Sequence, residues 1–284
     1  MKIAIGTANF LKRYGLKKNK IKKKEIKKIL FYCKKNKIKN LDTAFSYDNF
    51  RNIKGFKFNN FQISSKLNFS NKKNYLYNDE KYFKLLKSRI KDFKIKSFDN
   101  FFLHNADELS NKEFLRAIKI MEFLKRKKLI NKIGISIYDE NSIRKISQLD
   151  VIDIVQIPLN LCDRRFIQKK NMNFFKKKKI KVQARSIFLQ GLLLQKFDKI
   201  KSKLFIDKKF FYDFESWVKN NKISKLQACL NFIKCQNKLD SVVIGIENLN
   251  QLKDIVYLLK LERNLKYPKK IISNKKKFFD PRRW

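Results

Sequence analysis

Histidine, glycine, proline and arginine are all scarce in this chain: one His, six Gly, three Pro and 12 Arg among 284 residues. The single His104 removes zinc sites that need several His ligands, and no metal is expected. The glycines (Gly6, Gly15, Gly55, Gly134, Gly191, Gly245) stand far apart. Neither the G-x-G-x-x-G turn of a dinucleotide fold nor a Walker loop can be written with them. The four cysteines, Cys33, Cys162, Cys229 and Cys235, form no C-x-x-C. That excludes a zinc ribbon and a disulfide framework and leaves reduced, structural thiols. No apolar run approaches the ~18 residues of a membrane span. Met1-Lys2-Ile3-Ala4-Ile5-Gly6 reads as a first strand, not as a signal peptide, so a cytoplasmic protein is expected.

Positive charge is abundant. Lys and Arg total 70 against 25 Asp and Glu, a formal net charge of +45. Such a balance ordinarily points to a polyanion. Bidentate recognition of phosphate or guanine favours Arg, however, and the basic residues are spread over every segment. Lys, Asn, Ile and Phe rise together, as codon bias in an AT-rich genome would produce. A specific nucleic-acid partner is therefore not expected, although salt-sensitive, nonspecific polyanion binding is. Hydrophobic residues make up 43% of the chain, with 27 Phe, enough for a sizeable core.

Short apolar runs alternate with segments of helical periodicity along the whole length. Strands are expected at Ile3–Ile5, Ile38–Leu41, Phe61–Leu67, Phe98–Leu103, Lys132–Ser136, Ile152–Ile157, Ile180–Ala184 and Ser241–Ile244. Helices are expected at Lys23–Lys35, Lys81–Phe93, Phe114–Lys128, Asn141–Gln148, Arg165–Lys177, Ser224–Cys235 and Asn250–Leu259. Alternation of this kind implies a parallel sheet, and eight units of roughly 30 residues fit a closed (β/α)8 TIM barrel. An open doubly wound sheet is the alternative, but it normally carries a glycine-rich turn. The expectation is one domain over residues 1–284, with an elaborated loop carrying helical turns at 191–221 and a C-terminal tail at 262–284 that docks through Phe279 or Trp284.

In such a barrel the reactive face is the C-terminal end of the strands. There the sequence places Asp42 with Tyr47 on the following loop, then Lys66, His104, Ser136 and Gln156. Alone, Lys66 reads as one more solvated lysine and His104 as a satisfied core histidine. Together they supply a phenol, an ammonium, a carboxylate and an imidazole on one rim. A phenol with a pKa near ~10 donates poorly at neutral pH. A neighbouring ammonium would lower that value, the carboxylate would hold the ammonium, and the imidazole would orient a carbonyl. This is general-acid chemistry for an oxygen that gains negative charge.

These residues, in order, resemble the aldo-keto reductases. The resemblance runs from Gly6-Thr7-Ala8-Asn9-Phe10 and Tyr14-Gly15 to Asp280-Pro281-Arg282-Arg283-Trp284. Between them lie Leu41-Asp42-Thr43-Ala44, Ser65-Lys66-Leu67, Phe102-Leu103-His104-Asn105, Gly134-Ile135-Ser136-Ile137-Tyr138, Gln156-Ile157-Pro158-Leu159-Asn160, Ala184-Arg185-Ser186 and Val243-Ile244-Gly245. The resemblance implies a catalytic tetrad of Asp42, Tyr47, Lys66 and His104, with Tyr47 as proton donor, acting on a small-molecule carbonyl substrate. It also implies a nicotinamide cofactor, NADP(H) favoured over NAD(H), with Ser136 and Gln156 on its carboxamide. Arg185 stands where many members stack an aromatic residue on the nicotinamide. Ser186 to Gly191 and Gly245 to Asn248 fall in loops where barrels bind phosphate.

Three departures stand out. Gly245 occupies the place of a phosphate-gripping Lys, Gln251 that of a common Arg, and Ile255 that of an adenine-contacting Asn, so NAD(H) or dual use stays open. Asp48-Asn49-Phe50-Arg51 also replaces the usual segment after the catalytic Tyr. The flavour of Gln156 to Phe166 and of the C-terminal end is similar to bacterial members associated with sugar and surface-polysaccharide metabolism. A monomer or weak homo-oligomer is expected. The alternative reading is a catalytically weak cofactor-binding barrel with a regulatory or sensing role.

Overall fold

Val, Ile and Phe alternate with small or polar residues where the strands form, and the apolar stripes of the intervening helices cover them. A computed structural model describes residues 1–16, 20–47, 56, 58–69, 78–200, 206–261, 265, 267 and 270–283. Its strands are β1 (Lys2–Gly6), β2 (Asn40–Asp42), β3 (Gln62–Leu67), β4 (Phe98–Leu103), β5 (Ile130–Ser136), β6 (Ile154–Pro158), β7 (Lys181–Arg185) and β8 (Ser241–Gly245). All pair in parallel with their sequence neighbours. β1 also pairs with β8, from Lys2↔Ser241 to Gly6↔Gly245, and this closes the barrel.

The helices are α1 (Lys23–Lys35), α2 (Asp79–Phe93), α3 (Asn111–Arg126), α4 (Ser142–Ser147), α5 (Lys169–Lys177), α6 (Lys208–Asn220), α7 (Lys225–Lys234), α8 (Leu249–Lys260) and α9 (Lys276–Phe279). Buried Ile26, Ile29, Leu30 and Cys33 give α1 the single apolar stripe that packs on the barrel. A reciprocal capping box, Ser110 with Glu113, starts α3, and such caps are worth about 1 kcal/mol.

Three carboxylates organise the opposite, N-terminal end of the barrel. Asp99, Asp153 and Asp240 each accept a backbone N–H from a neighbouring strand, at Ile63, Ile133 and Val182 respectively (3.0, 2.8 and 2.8 Å). They satisfy donors that no strand partner reaches.

Two expectations are refined. The helical turns expected in the elaborated segment 191–221 include a full helix, α6 at Lys208–Asn220, which buries Phe210, Phe211, Phe214 and Val218. The helix expected at Arg165–Lys177 splits into a 3-10 turn, Arg165–Ile167, and α5, with Gln168 in an extended conformation between them. In the tail, Phe278 packs on Phe210 and Phe211 at 5.6 and 5.8 Å between ring centroids. The buried Phe279 lies beneath the Arg165 guanidinium at 4.5 Å. Trp284 and the segment 48–51 lie outside the described residues.

Gly134 of β5 makes room for the Phe102 ring of β4, its partner in register. A Cβ there would come within 2.4 Å of that buried ring. Gly134→Ala is therefore expected to lower stability by about 1–3 kcal/mol, read as a fall in the urea midpoint at unchanged slope.

Candidate active site

Strand ends position the chemistry. Asp42 is the last residue of β2, Lys66 the penultimate residue of β3, Arg185 the last of β7 and Gly245 the last of β8. His104 follows β4 directly, and its N–H donates to the Leu67 carbonyl at 2.9 Å, which continues the strand ladder by one residue. Tyr47 is carried by a loop that stays tied to β3. Thr43 N–H donates to Ser64 and Phe45 N–H to Lys66, at 2.9 and 2.8 Å, before Tyr47 N–H turns back to Ala44 at 3.1 Å.

These side chains converge on one cavity of about 330 Å³ at the C-terminal mouth. Asp42, Tyr47, Lys66, His104, Gln156, Arg185, Ser186, Gly191, Gly245 and Gln251 all line it. Ser136 does not. It sits beside Gln156 in register, buried, and its Oγ has no partner among the described residues.

Lys66 and Asp42 form an ion pair, with Nζ donating to Oδ1, and the two residues are 2% and 3% exposed. Burial this complete demands that each remaining lone pair and proton be satisfied. Lys66 Nζ also donates to the Thr43 carbonyl at 3.3 Å, and Gln156 Nε2 donates to Asp42 Oδ2 at 3.0 Å. The same Nε2 reaches Gln183 Oε1 at 2.6 Å, and Gln183 Nε2 donates to Ser241 Oγ at 3.0 Å. A polar chain thus crosses the barrel interior from β3 to β8.

Burial pushes the Tyr47 phenol well above its ordinary value, and the Asp42 carboxylate and the phenols of Tyr14 and Tyr138 push it the same way. The cation that opposes them is Arg185. The Lys66 ammonium is paired with Asp42, and burial lowers its own pKa. Tyr47 is thus held in the protonated form. His104 is driven down to about 3 by burial, with Lys66 and Arg185 adding to the effect, so the imidazole is neutral.

Arg185 is clamped. Its Nη2 donates to the Ile137 carbonyl at 3.1 Å and its Nη1 to Ser186 Oγ at 3.2 Å. The guanidinium carbon lies 3.6 Å from the Tyr138 ring centroid, and that of Arg282 lies 3.8 Å from the same centroid. Two guanidinium groups cannot share one face at that height without colliding, so the ring is gripped from both sides. Asp280 and Asp107 hold Arg282 in turn, the first through two bonds of 2.9 and 2.8 Å.

Beyond β7 the chain runs through left-handed backbone at Ser186, Leu189, Gln190 and Gly191 (φ 59, 47, 53 and 88°). Three of these are not glycine, and such strain concentrates at binding sites. Asn160 Nδ2 donates to the Ser186 carbonyl at 3.1 Å, and the Gln190 carbonyl accepts from Leu16 N at 3.3 Å. Gln190 and Glu247, within the two loops expected to bind phosphate, line the cavity, as do Asn9, Tyr14 and Tyr138, to which the sequence assigns no role. The strand-end rule, applied to the loops after β1 and β5, finds Asn9 and Tyr138.

The chain thus presents an eight-stranded parallel barrel with a phenol, a buried ammonium–carboxylate pair and a neutral imidazole at its C-terminal mouth. The chain is a member of the Aldo/keto reductase family, whose sequence profile matches residues 2–267. Membership makes it a nicotinamide-dependent oxidoreductase. No curated protein sequence matches the chain. Among solved structures it is similar in fold to an aldo-keto reductase from Bacillus halodurans in its holo form. The TM-score is 0.72 at 16% identity, over 93% of this chain and 88% of that one. A glycerol dehydrogenase from Gluconobacter oxydans gives a TM-score of 0.67 at 16% identity, over 93% and 87% of the two chains. Among the described residues no group of three or more His, Cys, Asp or Glu could hold a metal ion, and no helix is long and apolar enough to cross a membrane.

Two predictions follow from this electrostatic arrangement. Asp42→Asn leaves the Lys66 ammonium buried without its counter-ion, so stability should fall by ~3–5 kcal/mol, measured by denaturant unfolding. His104, the only histidine, should show no inflection in its imidazole proton resonances between about pH 8 and 5, where an ordinary His titrates.

Proposed function

We propose that the protein reduces the carbonyl of an aldehyde or ketone, on a sugar-like molecule, with Tyr47 as general acid. The observation that carries this reading is the meeting of Tyr47, the Lys66–Asp42 pair and neutral His104 in one cavity. The sugar-like substrate rests on the sequence resemblance alone.

The residues present fit a nicotinamide. Gln156 lines the cavity, and its Oε1 is buried without a partner among the described residues, as an acceptor awaiting a carboxamide would be; the Ser136 Oγ beside it is also unpartnered but lies outside the lining. Added Cβ atoms at Gly191 and Gly245 would meet nothing within 4 Å, so open backbone faces the cavity there. When bound, a reduced nicotinamide supplies the hydride. The chain's own residues do the rest. Neutral His104 directs the carbonyl oxygen toward Tyr47 without competing as a charged acid. The Tyr47 hydroxyl gives its proton to that oxygen as negative charge builds there. The Lys66–Asp42 pair and the guanidinium of Arg185 set the field in which that proton moves, and the ion pair cancels its own net charge. Such positioned proton transfer contributes about 10²–10⁴-fold to a rate.

NADP(H) is the cofactor the resemblance favours. Glu247, which stands between Gly245 and Gln251 in the chain and lines the cavity with them, works against it, because a carboxylate there would repel an added phosphate. Gln251 offers little in compensation, since its Oε1 already accepts from the Glu247 N–H at 2.6 Å.

The test is to titrate purified protein with NADPH and NADH by fluorescence and then assay a carbonyl panel. Tyr47→Phe should lower kcat by about 10²–10⁴-fold and leave cofactor affinity in place. Near wild-type turnover in that variant would overturn the mechanism.

A further inference from the structure

Of the cavity's charged groups, Arg185 is the one the reduction chemistry leaves without a counter-ion. Its side chain is 8% exposed. A guanidinium carries five N–H donors, and here one goes to the Ile137 carbonyl and one to Ser186 Oγ, both neutral acceptors. Three donors are left over. No carboxylate among the described residues pairs with it.

Other arginines in the same molecule behave differently. Arg116 pairs with Asp79, Arg165 with Asp163 and Arg282 with Asp280. The two cavity carboxylates do not take the role. Asp42 is bound by Lys66 and Gln156, and Glu247 forms no ion pair with Arg185 among the described residues. A buried, unpaired cation is costly unless something else compensates it, and Arg185 is nevertheless held rigidly by the Tyr138 ring and the Arg282 stack behind it.

We propose that Arg185 receives an anionic group, a carboxylate or a phosphate, carried by the same small molecule whose carbonyl is reduced. This rests on the reduction proposed above. Arg185 lines the same cavity as Tyr47, Lys66 and His104, so an anion seated on it can belong to the compound whose carbonyl faces Tyr47. A planar fork with unspent donors accepts either oxyanion in bidentate fashion, and the low exposure of the site strengthens the attraction.

The experiment compares matched pairs of carbonyl compounds with the full-length protein and its cofactor: D-glucuronate with D-glucose, succinic semialdehyde with butyraldehyde, and D-glyceraldehyde 3-phosphate with D-glyceraldehyde. At least one charged member should exceed its neutral partner in kcat/KM, and Arg185→Gln should cut that ratio by about 10- to 100-fold, the size of a charge-assisted hydrogen bond. The loss should appear mainly in KM, and Arg185→Lys should restore part of it. Equal kcat/KM across all three pairs in the wild-type protein overturns the proposal without any variant. So does an Arg185→Gln protein that weakens NADPH and NADH binding while the charged-to-neutral ratio holds, because Arg185 then serves the cofactor.

A calorimetric arm separates this proposal from the reduction itself. D-gluconate, which has the carboxylate but no reducible carbonyl, should bind wild-type protein more tightly than sorbitol, and Arg185→Gln should abolish the difference. Gluconate binding with no turnover of any carbonyl upholds the anion site and refutes the reduction. Turnover with no preference for gluconate over sorbitol does the reverse.

Discussion

The buried Lys66–Asp42 pair is the interaction on which the rest of the site depends. A charge pair this deep inside a protein is stable only when its geometry is good and its remaining hydrogen-bonding capacity is met. Asp42 meets it by accepting from Lys66 on one oxygen and from Gln156 on the other. Gln156 thereby becomes part of a relay to Gln183 and Ser241 that spans β6, β7 and β8. The barrel interior beneath the mouth is thus polar, and both oxygens of Asp42 are committed within it. Cooperative networks of this kind rigidify when complete, and this one leaves the reacting groups above it little freedom to drift.

That polar interior is affordable because aromatic packing carries the outside of the barrel. Phe45 on the Tyr47 loop meets Phe98 and Phe101, each at 5.9 Å between centroids, and anchors the loop to β4. Phe278 joins the C-terminal tail to Phe210 and Phe211 of α6. The tail in turn delivers Arg282 to the Tyr138 ring, and that ring presses on Arg185. A contact made at the end of the chain therefore reaches the cavity through two stacked surfaces, with Asp280 and Asp107 fixing its outer member.

Most of the architecture was legible because the barrel repeats one pattern eight times. The α1 and β4 boundaries are those the periodicity predicts, since an apolar stripe in one case and a buried run in the other are bounded by polar residues. The helix α6 is expected only as helical turns because each barrel unit needs one covering helix, and α7 already meets that requirement before β8. Its apolar residues, Phe210, Phe211, Phe214 and Val218, do show helical spacing. Among the site residues, strand-end position located Asp42, Lys66 and His104, whose backbones the ladder holds at the mouth. Ser136 obeys the same rule yet is not among the residues that line the cavity. Position alone cannot say which side chains a neighbouring residue will cover. Tyr138 and Arg282 were quoted from the sequence without a role, because their stacking on Arg185 depends on the tail folding back across the barrel.

The electrostatics invert the order in which the sequence ranks these groups. Read as a string, Lys66 is the cation that tunes Tyr47 and Arg185 is a substitute for a missing aromatic ring. In the folded chain Lys66 and Asp42 are paired with each other, and His104 is neutral. Arg185 is then the cation whose field the phenol feels most directly. A proton donor in a dry pocket has its charged form opposed by burial, so a fixed positive charge nearby eases departure of the proton and also favours the negative oxygen left on the substrate before protonation is complete. One guanidinium can meet both demands only if it is held still, and the ring between Arg185 and Arg282 supplies that restraint. The +45 net charge of the chain does not act in this way, because dispersed surface lysines are screened within about 8–10 Å at physiological salt. Asp42 and Arg185 act on Tyr47 in opposite directions and Lys66 and Arg185 act together on His104, so a few buried charges, not the abundance of surface lysine, shape the field in the cavity.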